Sequence, residues 1–251
     1  LTRNAYKTAE INDLRLAFEE VTGLDLNWFF NEWFLASGHP VLAIKTSYDA
    51  DKKLASVSIQ QNQDLSKTPL YRIPMSVDIY SNGKVERKEI VLDRKSQSFS
   101  FNSAVEPDLI NVDAEKYVLA IKTESKPVQQ YVFQYKHAPL FLDRFEALTK
   151  LQAQKGDEQA RRTVMEALTD KNAALRQMSV EFTENLPAAE RLLVYDKIRE
   201  MALKDPVSLV RAASVRALSK SYSEKNNSDV FEKTGKDKAP SVKNATLEAL
   251  K

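Results

Sequence analysis

The chain has 251 residues, 43% of them hydrophobic and 29% charged, and its 37 Lys+Arg against 35 Asp+Glu give a formal net charge of +2. That composition can bury a core unaided, and the near balance of charge gives no electrostatic support to binding of nucleic acid or an anionic membrane. Zero cysteines exclude disulfides, iron–sulfur clusters, thiolate zinc sites and cysteine nucleophiles, while five glycines leave no glycine-rich nucleotide loop.

The chain starts at Leu1 without the basic-then-apolar pattern of a signal peptide, which suggests a piece of something longer. No stretch approaches the roughly 18 apolar residues of a membrane-spanning helix. Residues 1–40 read as two helices. Ile11, Leu14, Phe18 and Val21 recur at helical spacing behind a cap at Asn12, and Gly23 stops the run. Asp25 caps the second, whose apolar face carries Leu26, Phe29, Phe30, Trp33 and Phe34 and which ends at Gly38 and Pro40. So few residues build no core alone, so both helices are expected to pack on something else.

From Val41 the period changes to two. Tyr71, Ile73, Met75, Val77 and Ile79 alternate with Arg72, Pro74, Ser76, Asp78 and Tyr80, which predicts a strand with one buried face. Asn82-Gly83 predicts a tight hairpin into Val85–Leu92, and Asp49-Ala50-Asp51-Lys52 separates two earlier strands. Further strands are expected at Ser98–Phe101, Leu109–Val112 and Tyr117–Lys122, about seven in all, as in an antiparallel sandwich of immunoglobulin-like size. Pro74 marks an edge or a bulge, because it cannot donate to the ladder.

Beyond Pro127 the pattern is helical and repeats itself. DKNAALRQMSVEF, DPVSLVRAASVRA and DKAPSVKNATLEA align on Asp170, Asp205 and Asp237, which fall 35 and 32 residues apart. A basic residue follows each after six positions: Arg176, Arg211 and Lys243, preceded by Leu175, Val210 and Val242. The pattern resembles the second helix of a HEAT repeat, with aspartate capping the helix and the basic side chain reaching an aspartate in an adjacent loop. The alternative is three unrelated amphipathic helices. The last copy lacks a polar terminal cap, again as in a truncated array. The mixed-charge run Glu224–Lys238 reads as a solvated segment between helices. The fold class is thus multidomain α and β: a short helical pair (1–40), an antiparallel β-sandwich (41–126) and a HEAT-like α-helical solenoid (127–251).

Catalytic machinery is not recognisable. His39 and His137 are the only histidines, lie outside any His-Glu-x-x-His helix, and read as a turn residue and a hinge between sandwich and helices. No Gly-x-Ser-x-Gly turn occurs, and Glu19-Glu20 sits on a solvated helix face. No catalytic, cofactor-binding or metal-binding residue is assigned, and no cofactor is expected in these residues.

The segment DLNWFFNEWFLASGHPVLAIK, with alternating strands and then helices after it, resembles the end of the catalytic domain and the start of the C-terminal domains in aminopeptidase N-type zinc metallopeptidases of the M1, gluzincin type. Trp33, Gly38, Pro40, Val41 and Leu42 stand where that family passes from its last catalytic helix into a small sandwich. NDLRLAFEEVTG is similar to the helix before, and HAPLFLDRFEAL, residues 137–148, to the first helix after the sandwich. The resemblance implies a parent enzyme that removes N-terminal residues from peptides with a zinc-activated water. Its zinc helix, distal Glu ligand and oxyanion Tyr would lie upstream of Leu1. The fragment alone would be inactive, with zinc in the parent and partners comprising the upstream catalytic domain and, for the parent, peptide substrates. Trp33 would fill the junction with the sandwich, and the solenoid would cover the cleft. The reading from another class is a HEAT-repeat scaffold with no peptidase activity, and a third is an enzyme whose catalytic domain has lost its ligands.

Overall fold

A computed structural model of the chain describes residues 5–223 and 225–251, so the expectations that fall on Leu1 and Glu224 lie outside the described residues. The fold is mixed α and β, with ten α-helices and two β-sheets among the described residues, and it divides into compact units Leu1–Lys126 and Pro127–Lys251.

The first unit opens with α1 (Ile11–Thr22) and α2 (Asn27–Trp33). The cap of α1 is Glu10 rather than Asn12. Asp13 Oδ2 accepts from Glu10 N at 2.9 Å, and Asp13 N donates to the Glu10 backbone carbonyl at 3.0 Å. Gly23, at φ 69°, closes the helix with its N–H on Glu19 O. The expected packing of this helix is not found: Leu14, Phe18 and Val21 are exposed, and α1 has no buried residue. Asp25 accepts from Asn27 N, one residue ahead of its expected capping place, since Leu26 is the N-cap of α2.

Seven strands come next: β1 (Val41–Asp49), β2 (Leu54–Gln61), β3 (Ile73–Ser81), β4 (Lys84–Leu92), β5 (Ser96–Asn102), β6 (Leu109–Val112) and β7 (Ile121–Glu124). They form a four-stranded sheet, β5-β2-β1-β7, and a three-stranded sheet, β4-β3-β6. Leu42, Ile44, Val57 and Ile59 of the first sheet share one apolar cluster with Ile73, Met75, Val77, Ile79, Leu92 and Ile110 of the second. The β3–β4 turn uses Asn82 and Gly83 at φ 50° and 70°, the left-handed pair that matches strand twist.

Three strand expectations need correction. The last strand begins at Ile121, not Tyr117, and runs parallel to β1 with Val41 opposite Ile121, so the sheets are not antiparallel throughout. Pro74 lies in the central strand of its sheet. It is tolerated because β6 reaches only Val77–Tyr80, leaving Pro74 flanked by β4 alone, opposite Val91. Both faces of β3 are buried from Met75 to Tyr80, Ser76 and Asp78 included. Asp78 is tolerable there because Arg87 Nε and Nη2 grip its two oxygens at 2.8 and 2.9 Å.

The second unit contains α3 (Val128–His137), α4 (Phe141–Ala153), α5 (Glu158–Glu166), α6 (Ala173–Phe182), α7 (Ala188–Lys204), α8 (Ser208–Ser221), α9 (Ser228–Thr234) and α10 (Pro240–Ala249). The even-numbered helices touch in series, α4 on α6, α6 on α8 and α8 on α10. Their apolar faces fill two clusters, one around Leu148, Leu151 and Leu175, the other around Val180, Val210, Val215, Leu218 and Val242. The helix α3 precedes the stretch at 137–148, which therefore opens the second helix of the unit. His137 ends α3, its ring 4.3 Å from that of Phe133 between centroids, and so lies within the helical unit and not between the strands and the helices. The run Glu224–Lys238 contains α9, with Val230 buried, and is not simply a solvated link.

Candidate functional site

Two constellations stand out, one in each unit. The first surrounds Trp33. Gln61, at the end of β2, is buried and clamps the backbone of Tyr71: its Nε2 donates to Tyr71 O at 2.7 Å and its Oε1 accepts from Tyr71 N at 3.1 Å. Gln63 Nε2 donates to Gln61 Oε1 and to Pro69 O, so the amide pair is satisfied rather than stranded in the core. Tyr71, held in this way, packs against Trp33 with centroids 4.7 Å apart. Half-buried Trp33 thus joins α2 to the sheet cluster. Gly38 takes φ +95°, and a Cβ there would sit 2.4 Å from Thr68 Oγ1. Pro40 is buried and its carbonyl accepts Ile121 N at 3.0 Å, which starts the β1–β7 pairing.

Beside Trp33 lies an apolar groove of about 340 Å³, walled by Trp28, Phe29, Trp33, Ile73 and Leu119. Arg72 stacks its guanidinium 4.8 Å from the Trp28 ring, and its backbone N–H donates to Glu32 Oε2 at 2.7 Å. Burial pushes the Glu32 carboxyl above its ordinary value, against the pull of that bond and of Arg72.

The second constellation is a ladder of ion pairs across the helical unit. Arg176 Nε and Nη2 both meet Asp205 at 2.8 Å, while its Nη1 donates to Asp170 O at 2.8 Å. Arg211 repeats the pattern: 2.8 and 2.9 Å to Asp237, and 2.9 Å to Asp205 O. Each arginine therefore ties the backbone before its own helix to the carboxylate before the next even-numbered helix. The aspartates are not the N-caps; they stand two residues ahead. Asp170, Asp205 and Asp237 accept from the N–H of Asn172, Val207 and Ala239, and those three residues are the N-caps of α6, α8 and α10. An aspartate at this place can fix the turn and still offer an oxygen to the arginine, which an N-cap carboxylate pointing into its helix would do less well.

Burial pushes the Asp205 carboxyl up, but the Arg176 fork, the Val207 N–H and the charges of Arg176 and Arg211 hold it below the usual carboxylate value. The Arg211 fork does the same for Asp237. Lys243, in the third copy, is exposed, and its charge also draws on Asp237.

The sequence pattern misses a third rung. Arg144 on α4 reaches Asp170 Oδ1 at 2.7 Å, and Tyr135 Oη donates to Asp170 Oδ2 at 2.9 Å. The six-residue rule hides it, because Ala138 stands where the other copies have aspartate. A parallel set, Arg161 with Glu190 and Arg199 with Asp229, links the odd-numbered helices. It lies outside the aligned segments altogether.

These arrangements position helices and strands. Among the described residues no three His, Cys, Asp or Glu side chains are grouped to hold a metal ion. His39 lies in the first unit and His137 in the second, both exposed, and Glu19 is engaged by Arg15 at 2.9 Å and by Leu26 N. No described helix is long and apolar enough to cross a membrane.

No protein-family profile matches the chain. Among solved structures, aminopeptidase A of Legionella pneumophila in complex with aspartic acid is similar over 97% of this chain, with a TM-score of 0.69 and 15% identity. The chain has an aminopeptidase-like fold. It spans 35% of the length of that enzyme's chain. The Escherichia coli protein YibA matches 47% of the chain at 24% identity with a TM-score of 0.38, too loosely to bear on the fold.

Proposed function

We propose that these residues form the non-catalytic C-terminal part of a zinc-dependent aminopeptidase of the M1 type, one that removes N-terminal residues from peptides. The observation that carries the reading is the order of elements: two helices, two sheets and a helical array in one likeness to an aminopeptidase over 97% of the chain. In this reading 1–40 are the last helices of the catalytic domain, 41–126 a β-sandwich spacer and 127–251 a HEAT-like solenoid. The exposed Leu14, Phe18 and Val21 of α1 are the surface on which other catalytic-domain helices lie. Zinc and its ligands belong to a part of the enzyme that these 251 residues do not contain, where the metal would activate water for attack on the first peptide bond. The solenoid restricts access to the cleft, so long or blocked peptides are excluded.

The test is to express the whole gene product and assay release of amino acids from aminoacyl anilides and short peptides, with and without a chelator. Chelator-sensitive release is the expected result, with broader size selection after removal of 127–251. Absence of release from any peptide, with no zinc bound, would overturn the peptidase reading and leave the helical unit as a scaffold for protein partners.

A further inference from the structure

Four arginines of the second unit stand at the fourth position of their helix: Arg144 on α4, Arg161 on α5, Arg176 on α6 and Arg211 on α8. Three of them bond in one way. Nε and Nη2 close a fork on the carboxylate of Glu190, Asp205 or Asp237 at 2.7 to 2.9 Å. Nη1 donates to the backbone carbonyl six residues earlier, that of Lys155, Asp170 or Asp205. Arg144 departs from this pattern. Its Nη1 alone meets Asp170, 2.7 Å from Oδ1 and 2.5 Å from Oδ2, while Nε and Nη2 have no hydrogen-bond partner among the described residues. Tyr135 accounts for the difference. Its hydroxyl donates to Asp170 Oδ2 at 2.9 Å, and the equivalent oxygen of Asp205 and Asp237 receives only the arginine's Nε.

Arg144, its side chain only 13% exposed, walls an open cavity of about 410 Å³ with Lys136, His137, Asp170 and Lys171. Asp170 is neutralised by Arg144 and also accepts from Tyr135 Oη and Asn172 N. Lys136 is paired with Glu166 at 2.9 Å, whereas Lys171 is exposed and has no ion pair among the described residues. The cavity thus combines a surplus of positive charge with the Nε–Nη2 edge of a guanidinium, two parallel donors that match two oxygens of one oxyanion. We infer that it binds the phosphoryl group of a small molecule. Arg144 Nε and Nη2 donate to two phosphoryl oxygens, and the Lys171 ammonium balances the remaining negative charge. A phosphate monoester carries close to two charges near neutral pH and uses both cations, whereas a carboxylate carries one and leaves Lys171 unmatched. A cavity of ~150 Å³ holds benzene, so the space here admits a phosphoryl group and a ring-sized organic body. The inference stands on the helical unit alone and does not rest on the peptidase reading.

The test is calorimetric titration of the full-length gene product, in phosphate-free buffer, with phenyl phosphate and, at matched ionic strength, with benzoate. Saturable binding of phenyl phosphate is expected, with benzoate weaker by about 3-fold or more. Arg144→Lys keeps the charge but not the fork and lowers the phenyl phosphate affinity on the order of 10-fold. Lys171→Ala, at an exposed position that leaves the fold intact, lowers it about 3-fold. Arg211→Lys leaves it unchanged, because that edge is already closed on Asp237. Absence of saturable binding, an affinity that neither Arg144→Lys nor Lys171→Ala alters, or benzoate held as tightly through the same two residues overturns the inference, whether or not the product cleaves peptides.

Discussion

Gly38 illustrates how a single residue can be fixed by two independent requirements. Its φ of +95° is unfavourable for any side chain, and Thr68 Oγ1 occupies the space that a Cβ would need. Gly38→Ala is expected to destabilise the first unit by about 2 kcal/mol, the sum of backbone strain and displacement of Thr68. Adding Thr68→Gly should recover the steric part and leave the backbone part, a division that chemical denaturation of the single and double variants measures directly. Full recovery would show that φ contributes nothing. Trp33, packed on a Tyr71 whose backbone is held by Gln61, gives a companion case. Trp33→Ala should cost about 2 kcal/mol or more, below the figure for a fully buried tryptophan because the ring is only half covered. Unchanged unfolding midpoints would mean that the ring does not hold α2 to the sheets.

The ladder belongs to the scale of elements, because each rung joins one helix to the turn before another. Arg176 and Asp205 are 12% and 4% exposed and meet through two parallel bonds, whereas Arg216 and Glu248, at 45% and 55%, meet at the surface through a single nitrogen. A double-mutant cycle to alanine should therefore give a coupling of about 2 kcal/mol for the first pair and below about 0.5 kcal/mol for the second. Equal couplings would contradict the view that burial and fork geometry distinguish them. The buried pairs of Arg176 with Asp205 and Arg211 with Asp237 set an acid limit. Asp205 and Asp237 have folded-state values below the ordinary carboxylate value of 3.8, so the folded state binds fewer protons than the unfolded one in that range. Their stabilisation is present above about pH 4 and is lost as pH falls through the depressed folded values. Arg176→Ala is expected to raise the pH of the acid transition followed by circular dichroism, since Asp205 would lose the fork that opposes its desolvation. The reverse movement would mean that burial, not the arginine, sets its titration.

Legibility also divides by element. The strands and the even-numbered helices can be read because their apolar residues recur regularly, with period two in Ile73–Ile79, although β3 is buried on both faces, and with helical spacing in the Asp-to-Arg segments. The parallel β7 cannot, because its pairing is decided by where Ile121 meets the Pro40 carbonyl, a contact eighty-one residues apart in sequence. Reading Asp205 as an N-cap puts it two residues from its place, since an aspartate that closes a turn and one that caps a helix look alike in sequence. The Arg144 rung is hidden by Ala138, although Leu148 and Leu151 keep the register. At the Trp33 site the tryptophan, Gly38 and Pro40 are conspicuous, but nothing local announces that Gln61 and Gln63 are buried to hold Tyr71.

For the whole molecule, the apolar clusters separate by unit. The sheet cluster draws only on the first unit, and the two helical clusters only on the second. Perturbations should therefore act where their own core lies. Native-state hydrogen exchange is the appropriate measurement, since it reports opening segment by segment. Arg211→Ala should accelerate exchange in α8 and α10, whose joining rung it removes, while the amides of β1 and β2 keep their protection. Gly38→Ala should do the opposite, loosening the strands that start beyond Pro40 and sparing α8. Equal acceleration in both units by either substitution would show that they open as one cooperative body. A response confined to the substituted unit would make each a foldon in its own right.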